Sequence, residues 1–287
     1  MTEAVAHSSG TRRPRLNAAG AVDCHMHIYD SRFSPSPHWK QVPPDAPVPD
    51  YRKLQARLGT SRTVIVQPST YGVDNSCTLD ALVQFGESAR GVAVIEPEIG
   101  DGALEKMDTL GVRGVRVNFV TPQPWGVTTA ARLRTTANRV APLGWHVQVL
   151  MTADQIIQMS DVLQSLPVPL VIDHLGLLPQ PAGTSHSAFG AVCKLLERGR
   201  TVVKLSGAYM GTHVGAPTYA DTSKVARGYV AAAPDRVVWG SDWPHPTESE
   251  KPDDADLLDL VLDWAPDEVT RRKILIDNPT QLYGFNT

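Results

Sequence analysis

The chain has 287 residues and is 42% hydrophobic, enough to bury a large core, and that length suits one barrel as well as two smaller domains. A formal charge of −3 leaves no basic stripe to neutralise a phosphate backbone, which argues against nucleic acid and for a small-molecule partner. No stretch reaches the roughly 20 uninterrupted apolar residues of a membrane span, and the N-terminus lacks the apolar core of a signal peptide, so no membrane partner and a cytoplasmic location are expected.

Residues 1–19 are polar, small and basic, and read as a disordered N-terminal arm, with 20–287 carrying the fold. From there, apolar runs rich in β-branched residues recur at 21–28, 63–68, 91–97, 114–119, 146–151, 169–176, 201–207 and 236–244. Their starts lie about 31 residues apart, the length of one strand-helix unit. Helical spacing fills the gaps at 77–89, 102–111, 128–144, 152–166 and 221–233, with Thr152 or Asp154 placed to cap the helix after the fifth strand.

Runs apolar on both faces, alternating with amphipathic helices, predict a parallel sheet covered by helices. Eight units predict an α/β fold, a single (β/α)8 TIM-type barrel. An open nucleotide-binding sheet would show a Gly-rich loop after its first strand, where this chain has His-x-His. Residues 30–50 are proline-dense and predict a long first βα loop without regular helix, lying over the active face. Cys24, Cys77 and Cys193 are too few and scattered for a disulfide framework; Cys24 reads as a small buried residue of an inner strand rather than a nucleophile.

In such barrels the chemistry sits at the C-terminal ends of the strands. Asp23, His25 and His27 share one face of the first strand by period two, His174 closes the sixth strand, and Asp242 closes the eighth. A lone buried histidine is ordinarily a hydrogen-bonded core residue. Three at strand ends with an aspartate form a set suited to hold zinc or manganese and to activate water.

Other polar residues pose choices. Arg116, inside the fourth strand with Asn118 on the same face, needs a partner, either an internal acid such as Glu96 or Asp23 or a substrate carboxylate, with the substrate favoured. Lys204 on the seventh strand could be a second anion contact. His245 sits where it could hold substrate or move a proton. Gln67, Ser69, Tyr71 and Asn75 after the second strand, and Tyr209 after the seventh, offer hydrogen bonds at the mouth. His38 could reach the site from the first loop, whereas His146 opens the fifth strand and so points to the barrel's bottom.

At these residues the sequence resembles the amidohydrolase superfamily, in its amidohydrolase-2 group of 2-pyrone-4,6-dicarboxylate lactonase and related lactonases. The likeness spans about residues 20–285 and includes GAVDCHMHIYD, VIVQPSTYGVDN, GVRGVRVNF, GWHVQV, VPLVIDHLG, VVKLSG, RVVWGSDWPHP and DNPTQLYGF. The resemblance implies hydrolysis of a cyclic ester, with Asp242 as general base and His25, His27 and His174 activating the carbonyl or holding one divalent metal. Members with zinc and members working without metal are both known, so both possibilities stay open.

Departures bear on the substrate. The loop 120–128 lacks a second arginine, Tyr209 stands where the dicarboxylate lactonase has an arginine, and Leu150 stands where it has a tyrosine. These favour a monoanionic or neutral lactone of a small carboxylic or sugar acid at least as much as a dicarboxylate. The alternatives are a lactone isomerase, a metal-dependent decarboxylase of the superfamily, and a non-catalytic sugar-acid binding protein. A homodimer is open.

Overall fold

The computed structural model describes residues 4–41 and 43–286. The strands are β1 (Val22–Met26), β2 (Arg62–Val66), β3 (Ala89–Ala93), β4 (Val112–Asn118), β5 (His146–Leu150), β6 (Leu170–Ile172), β7 (Thr201–Leu205) and β8 (Val237–Trp239). They pair in parallel and in chain order. Helices α1 (Val48–Leu58), α2 (Ser76–Phe85), α3 (Asp101–Thr109), α4 (Ala130–Val140), α5 (Ala153–Gln158), α6 (Ser160–Gln164), α7 (Ser187–Glu197), α8 (Ala220–Ala232), α9 (Asp254–Trp264), α10 (Glu268–Arg272) and α11 (Asn278–Tyr283) follow them. The result is the expected TIM-type barrel. Thr152 caps α5, and its Gln155 completes a reciprocal capping box.

Closure comes just past the end of β8. The Asp242 amide donates to the His25 carbonyl at 2.7 Å, and the His27 amide to the Trp243 carbonyl at 2.8 Å. This approach requires Gly240, since a Cβ there would sit 2.7 Å from the His25 Cβ and 2.8 Å from its nitrogen. Inside the barrel, Val22, Cys24, Val64, Val66, Val92, Val171, Val202 and Val238 form one cluster, closed by Tyr283 and Phe285 of the C-terminal tail. A larger apolar layer, with Met26, Ile65, Val115 and Val147, joins sheet to helices.

One expectation is corrected here. Period two places Asp23 beside His25 and His27, but the β1–β2 register shifts between Asp23 and Met26. The bulge turns Asp23 away from the interior. Its carboxylate accepts from the Tyr51 hydroxyl of α1 at 2.8 Å and from the Ser241 hydroxyl at 2.6 Å and amide at 2.8 Å. Burial outweighs these bonds and pushes its pKa up to about 6. Asp23 is therefore a strut between α1 and the end of β8, out of reach of Arg116.

The first loop covers the active face as expected, with Trp39, Gln41, Pro43 and Pro44 against the central cavity, although regular helix begins within the 30–50 span, at Val48. Residues 4–19, expected as a disordered arm, instead run along the barrel. Val5 and Leu16 are buried, the buried Asp259 carboxylate accepts from the Arg15 and Leu16 amides at 2.7 and 3.0 Å, and the Trp243 indole donates to the Ala6 carbonyl at 2.9 Å.

Candidate active site

Three imidazoles surround one carboxylate oxygen. His25 and His27 come from β1 and just beyond it, His174 follows β6, and Asp242 follows β8. Asp242 Oδ1 lies 3.5 Å from His25 Nε2, 3.5 Å from His27 Nε2 and 3.9 Å from His174 Nε2. Asp242 and His174 take left-handed backbone (φ 64° and 48°), a conformation disfavoured for non-glycine residues and found where surrounding contacts over-determine it. His27, His174 and Asp242 line a cavity of about 810 Å³, and His25 lies fully buried behind them.

The rings are held from behind. His27 Nδ1 donates to the Val66 carbonyl at 2.7 Å; a carbonyl only accepts, so in the neutral ring Nε2 carries a lone pair. His174 Nδ1 bonds the Ser206 hydroxyl at 2.9 Å. His25 Nδ1 lies 3.4 Å from Asp173 Oδ1 and 3.4 Å from Lys204 Nζ, while its buried Nε2 has no partner among the described residues.

Burial, reinforced by Lys204, keeps His25 well below its ordinary pKa, and burial lowers His174 as well. Burial alone would raise the Asp242 carboxyl, but His174 and the two other encircling imidazoles outweigh it and hold the group below the usual carboxylate range. The cluster thus sets the Asp242 carboxylate among three imidazoles, with His25 and His174 disfavoured as cations by burial. Ligand atoms of His25, His174 and Asp242 all lie within 4.8 Å of one another. The edge of a tetrahedron with bonds of about 2.0–2.1 Å is about 3.4 Å. The spacing, the His27 tautomer and the unpartnered His25 Nε2 all suit a divalent cation.

The family model described as Amidohydrolase matches residues 22–285. The chain belongs to the amidohydrolase family. This amidohydrolase is 35% identical over 276 residues to a 2-pyrone-4,6-dicarboxylate hydrolase of Comamonas testosteroni, covering 92% of this chain and 90% of that one. It is 33% identical over 291 residues to a D-galactarolactone isomerase of Agrobacterium fabrum, covering 100% and 98%. A solved apo structure from Agrobacterium tumefaciens superimposes with a TM-score of 0.86 at 32% identity, covering 96% and 98%.

Around the amidohydrolase cluster, the other anticipated residues divide by position. Arg116, Asn118 and Ser69 line the cavity. Arg116 has an internal partner that is neither Glu96 nor Asp23, since its Nε donates to Asp173 Oδ2 at 3.0 Å; Glu96 is engaged by Arg132 at 2.6 Å. One of the five guanidinium donors is thus used, and the remainder stay available to a ligand. The Asn118 amide donates to Ser69 and Thr121 at 3.1 and 2.6 Å.

Lys204, anticipated as an anion contact, lies instead beneath the histidines, fully buried. Its ammonium donates to the Cys24 carbonyl at 2.7 Å, and burial lowers its pKa to about 8. Tyr71 and Asn75 hold loops: the Tyr71 hydroxyl bonds the Asp30 backbone, and the Asn75 amide brackets Val94. Gln67 is likewise spent on the Gly72 and Asp74 carbonyls. His245 is fully buried, and both it and Tyr209 stand behind Asp242 rather than in the cavity wall. His38 bonds Ser36, and His146 packs edge-on to Tyr283 at the barrel's bottom.

Two basic residues of the cavity wall are not marked in the sequence. His7 sits in the arm set aside as disordered, and Lys251 in the loop after Asp242. Neither lies at a strand end, where this fold gathers its chemistry. A His and a Lys in polar sequence carry no local sign of facing a cavity.

Proposed function

We propose that this amidohydrolase opens the ring of a lactone derived from a small carboxylic or sugar acid. The observation that carries the reading is the ionised Asp242 at the cavity wall, encircled by three Nε2 atoms, with Arg116 on the same wall. The lactone-hydrolase relative supports the substrate class.

Arg116, braced by Asp173, binds a substrate carboxylate and so fixes the ring against the cluster. Asp242 takes a proton from water as the water oxygen attacks the lactone carbonyl carbon. The ring carbon–oxygen bond then breaks, and the departing oxygen takes that proton from Asp242, leaving a hydroxy acid or its keto form. His25, His27, His174 and Asp242 would hold a divalent cation, zinc or manganese, which when bound supplies Lewis-acid polarisation and lowers the pKa of water. A metal-free route needs a proton on one of the imidazoles to stabilise the developing oxyanion.

A second reading, lactone isomerisation, draws support from the isomerase relative, which matches over the full chain. In that case a substrate hydroxyl takes the place of water at the same aspartate. The deciding experiment is a screen of pyrone, muconolactone and sugar-acid lactones with product mass analysis, run with and without chelator. Hydrolysis adds one water, isomerisation leaves the mass unchanged, and no turnover of any lactone would overturn both.

A further inference from the structure

Behind Asp242 the polar groups close a circuit. Its backbone carbonyl accepts from the His245 amide at 2.8 Å, and both residues take left-handed backbone, φ 64° and 55°. The His245 ring returns toward the side chain of the same aspartate, with Nδ1 at 3.1 Å from the Tyr209 hydroxyl and that hydroxyl at 2.6 Å from Asp242 Oδ2. On the far side of the ring, Nε2 lies 3.2 Å from Asp254 Oδ2. Asp254 opens α9, where the helix amides favour a negative charge. Lys251 Nζ donates to the His245 carbonyl at 2.7 Å. All four residues of the circuit are buried, so bulk solvent does not stand in for a missing partner.

Three side-chain contacts in line need three hydrogens, because two lone pairs facing each other across hydrogen-bond distance repel. The phenol brings one. Burial, with the charge of Asp242, holds its pKa well above the ordinary value, so this hydrogen stays on the phenolic oxygen and points to Oδ2, which only accepts. The phenolic oxygen then turns a lone pair to Nδ1, and Nδ1 supplies the hydrogen between them. The third hydrogen lies between Nε2 and Asp254 Oδ2, whichever of the two carries it. A ring with its hydrogen on Nε2 alone would instead offer Nδ1 as a rival acceptor and draw the hydroxyl away from Asp242.

We propose that His245, held by Asp254, is a positioning residue that acts through Tyr209: its Nδ1–H on the phenolic oxygen commits the hydroxyl hydrogen to Asp242 Oδ2 and leaves Oδ1 as the oxygen that receives the proton of water. The inference rests on the hydrolytic reading above in taking Asp242 as the base, whereas the placement of the hydrogens stands apart from that reading. Neither His245 nor Asp254 is in the cavity wall, so His245 reaches the reaction through Tyr209 rather than through the ligand.

The test is a double-mutant cycle on the lactone turned over in the screen above. His245→Leu should lower kcat about tenfold with KM within about twofold, the loss of one hydrogen bond. His245→Asn, whose amide nitrogen can take the place of Nδ1, should recover most of that loss. In a Tyr209→Phe background His245→Leu should change kcat by less than about twofold, because the group it acts through is gone. Losses that multiply in the double variant, or no loss in His245→Leu, overturn the proposal, with thermal melting by circular dichroism showing that each variant is folded. A second readout needs no turnover. Nitrogen-15 NMR of ring-labelled histidine, with the His245 signals assigned as those missing from His245→Asn, should show a hydrogen on Nδ1, and a bare Nδ1 overturns the proposal. Failure to turn over any lactone would sink the hydrolytic reading and leave the hydrogen placement to be judged by the NMR.

Discussion

The Tyr209 hydroxyl donates to Asp242 Oδ2 across 2.6 Å, so that one oxygen of the carboxylate is fixed while the other faces the three imidazoles. The same phenol meets His245 Nδ1 at 3.1 Å, and His245 Nε2 meets Asp254 Oδ2 at 3.2 Å. This buried chain runs from the Asp242 carboxylate to the start of α9. Tyr209→Phe should leave KM nearly unchanged and lower kcat on the order of 10- to 100-fold, the loss of one hydrogen bond to a charged group. Steady-state kinetics check it; an unaltered kcat would show that Asp242 is oriented by other contacts.

Asp242→Asn should retain ligand binding within a few-fold and lose about 10²- to 10⁴-fold in kcat, the usual contribution of a positioned base. Calorimetric binding beside turnover separates this from misfolding. Loss of binding in parallel with rate would mean that the carboxylate holds the ligand rather than acting on it.

Purified protein dialysed against zinc or manganese should take up one ion per chain, and His174→Ala should abolish stoichiometric uptake. Ser206→Ala, which removes the hydroxyl behind His174, should weaken affinity about 10- to 100-fold. Elemental analysis after gel filtration reads all three. A wild-type chain that gains no metal would turn the mechanism to imidazolium catalysis.

The pH profile follows from the shifts. A carboxyl held below the usual carboxylate range is already ionised at pH 5, so Asp242 should impose no acid limb between pH 5 and 8 in metal-free protein. Lys204, lowered to about 8 by burial, loses its charge beneath His25 and Asp173 above that pH, and activity should change there. A rate profile with an acid limb near pH 7 would instead report a metal-bound water.

His146 predicts acid sensitivity of the fold. Burial, then Lys204, lowers its pKa to about 3 from the ordinary 6.5, so between these values the unfolded chain binds the extra proton. Its contribution is intact above pH 6.5 and is lost as pH falls toward 3, by roughly 4–5 kcal/mol in all. The ring sits where a Cβ on Gly114 would approach within 2.3 Å. His146→Leu, similar in volume, should shift acid unfolding to lower pH as followed by circular dichroism, and an unmoved midpoint would refute the assignment.

Eight β-branched runs at unit spacing and the residues at their C-terminal ends were legible because strand order, strand ends and side-chain type are local properties of the chain. That sufficed to single out His25, His27, His174 and Asp242, which the fold brings together. The helices α1, α7 and α9 were harder to see: α1 begins amid prolines, and α7 and α9 are each set off from the preceding strand by a long irregular loop.

What the tertiary structure decided were matters of direction and partner. A one-residue bulge in β1 turned Asp23 outward, and Asp173 rather than Asp23 or Glu96 answered Arg116. Lys204, Tyr209 and His245 went behind the site rather than into it, while His7 and Lys251 reached the cavity from loops. Periodicity assigns a side chain to a face only while the register is unbroken. Which charge meets which depends on segments far apart in the chain, because a buried ion is held by whatever partner the closed barrel sets beside it.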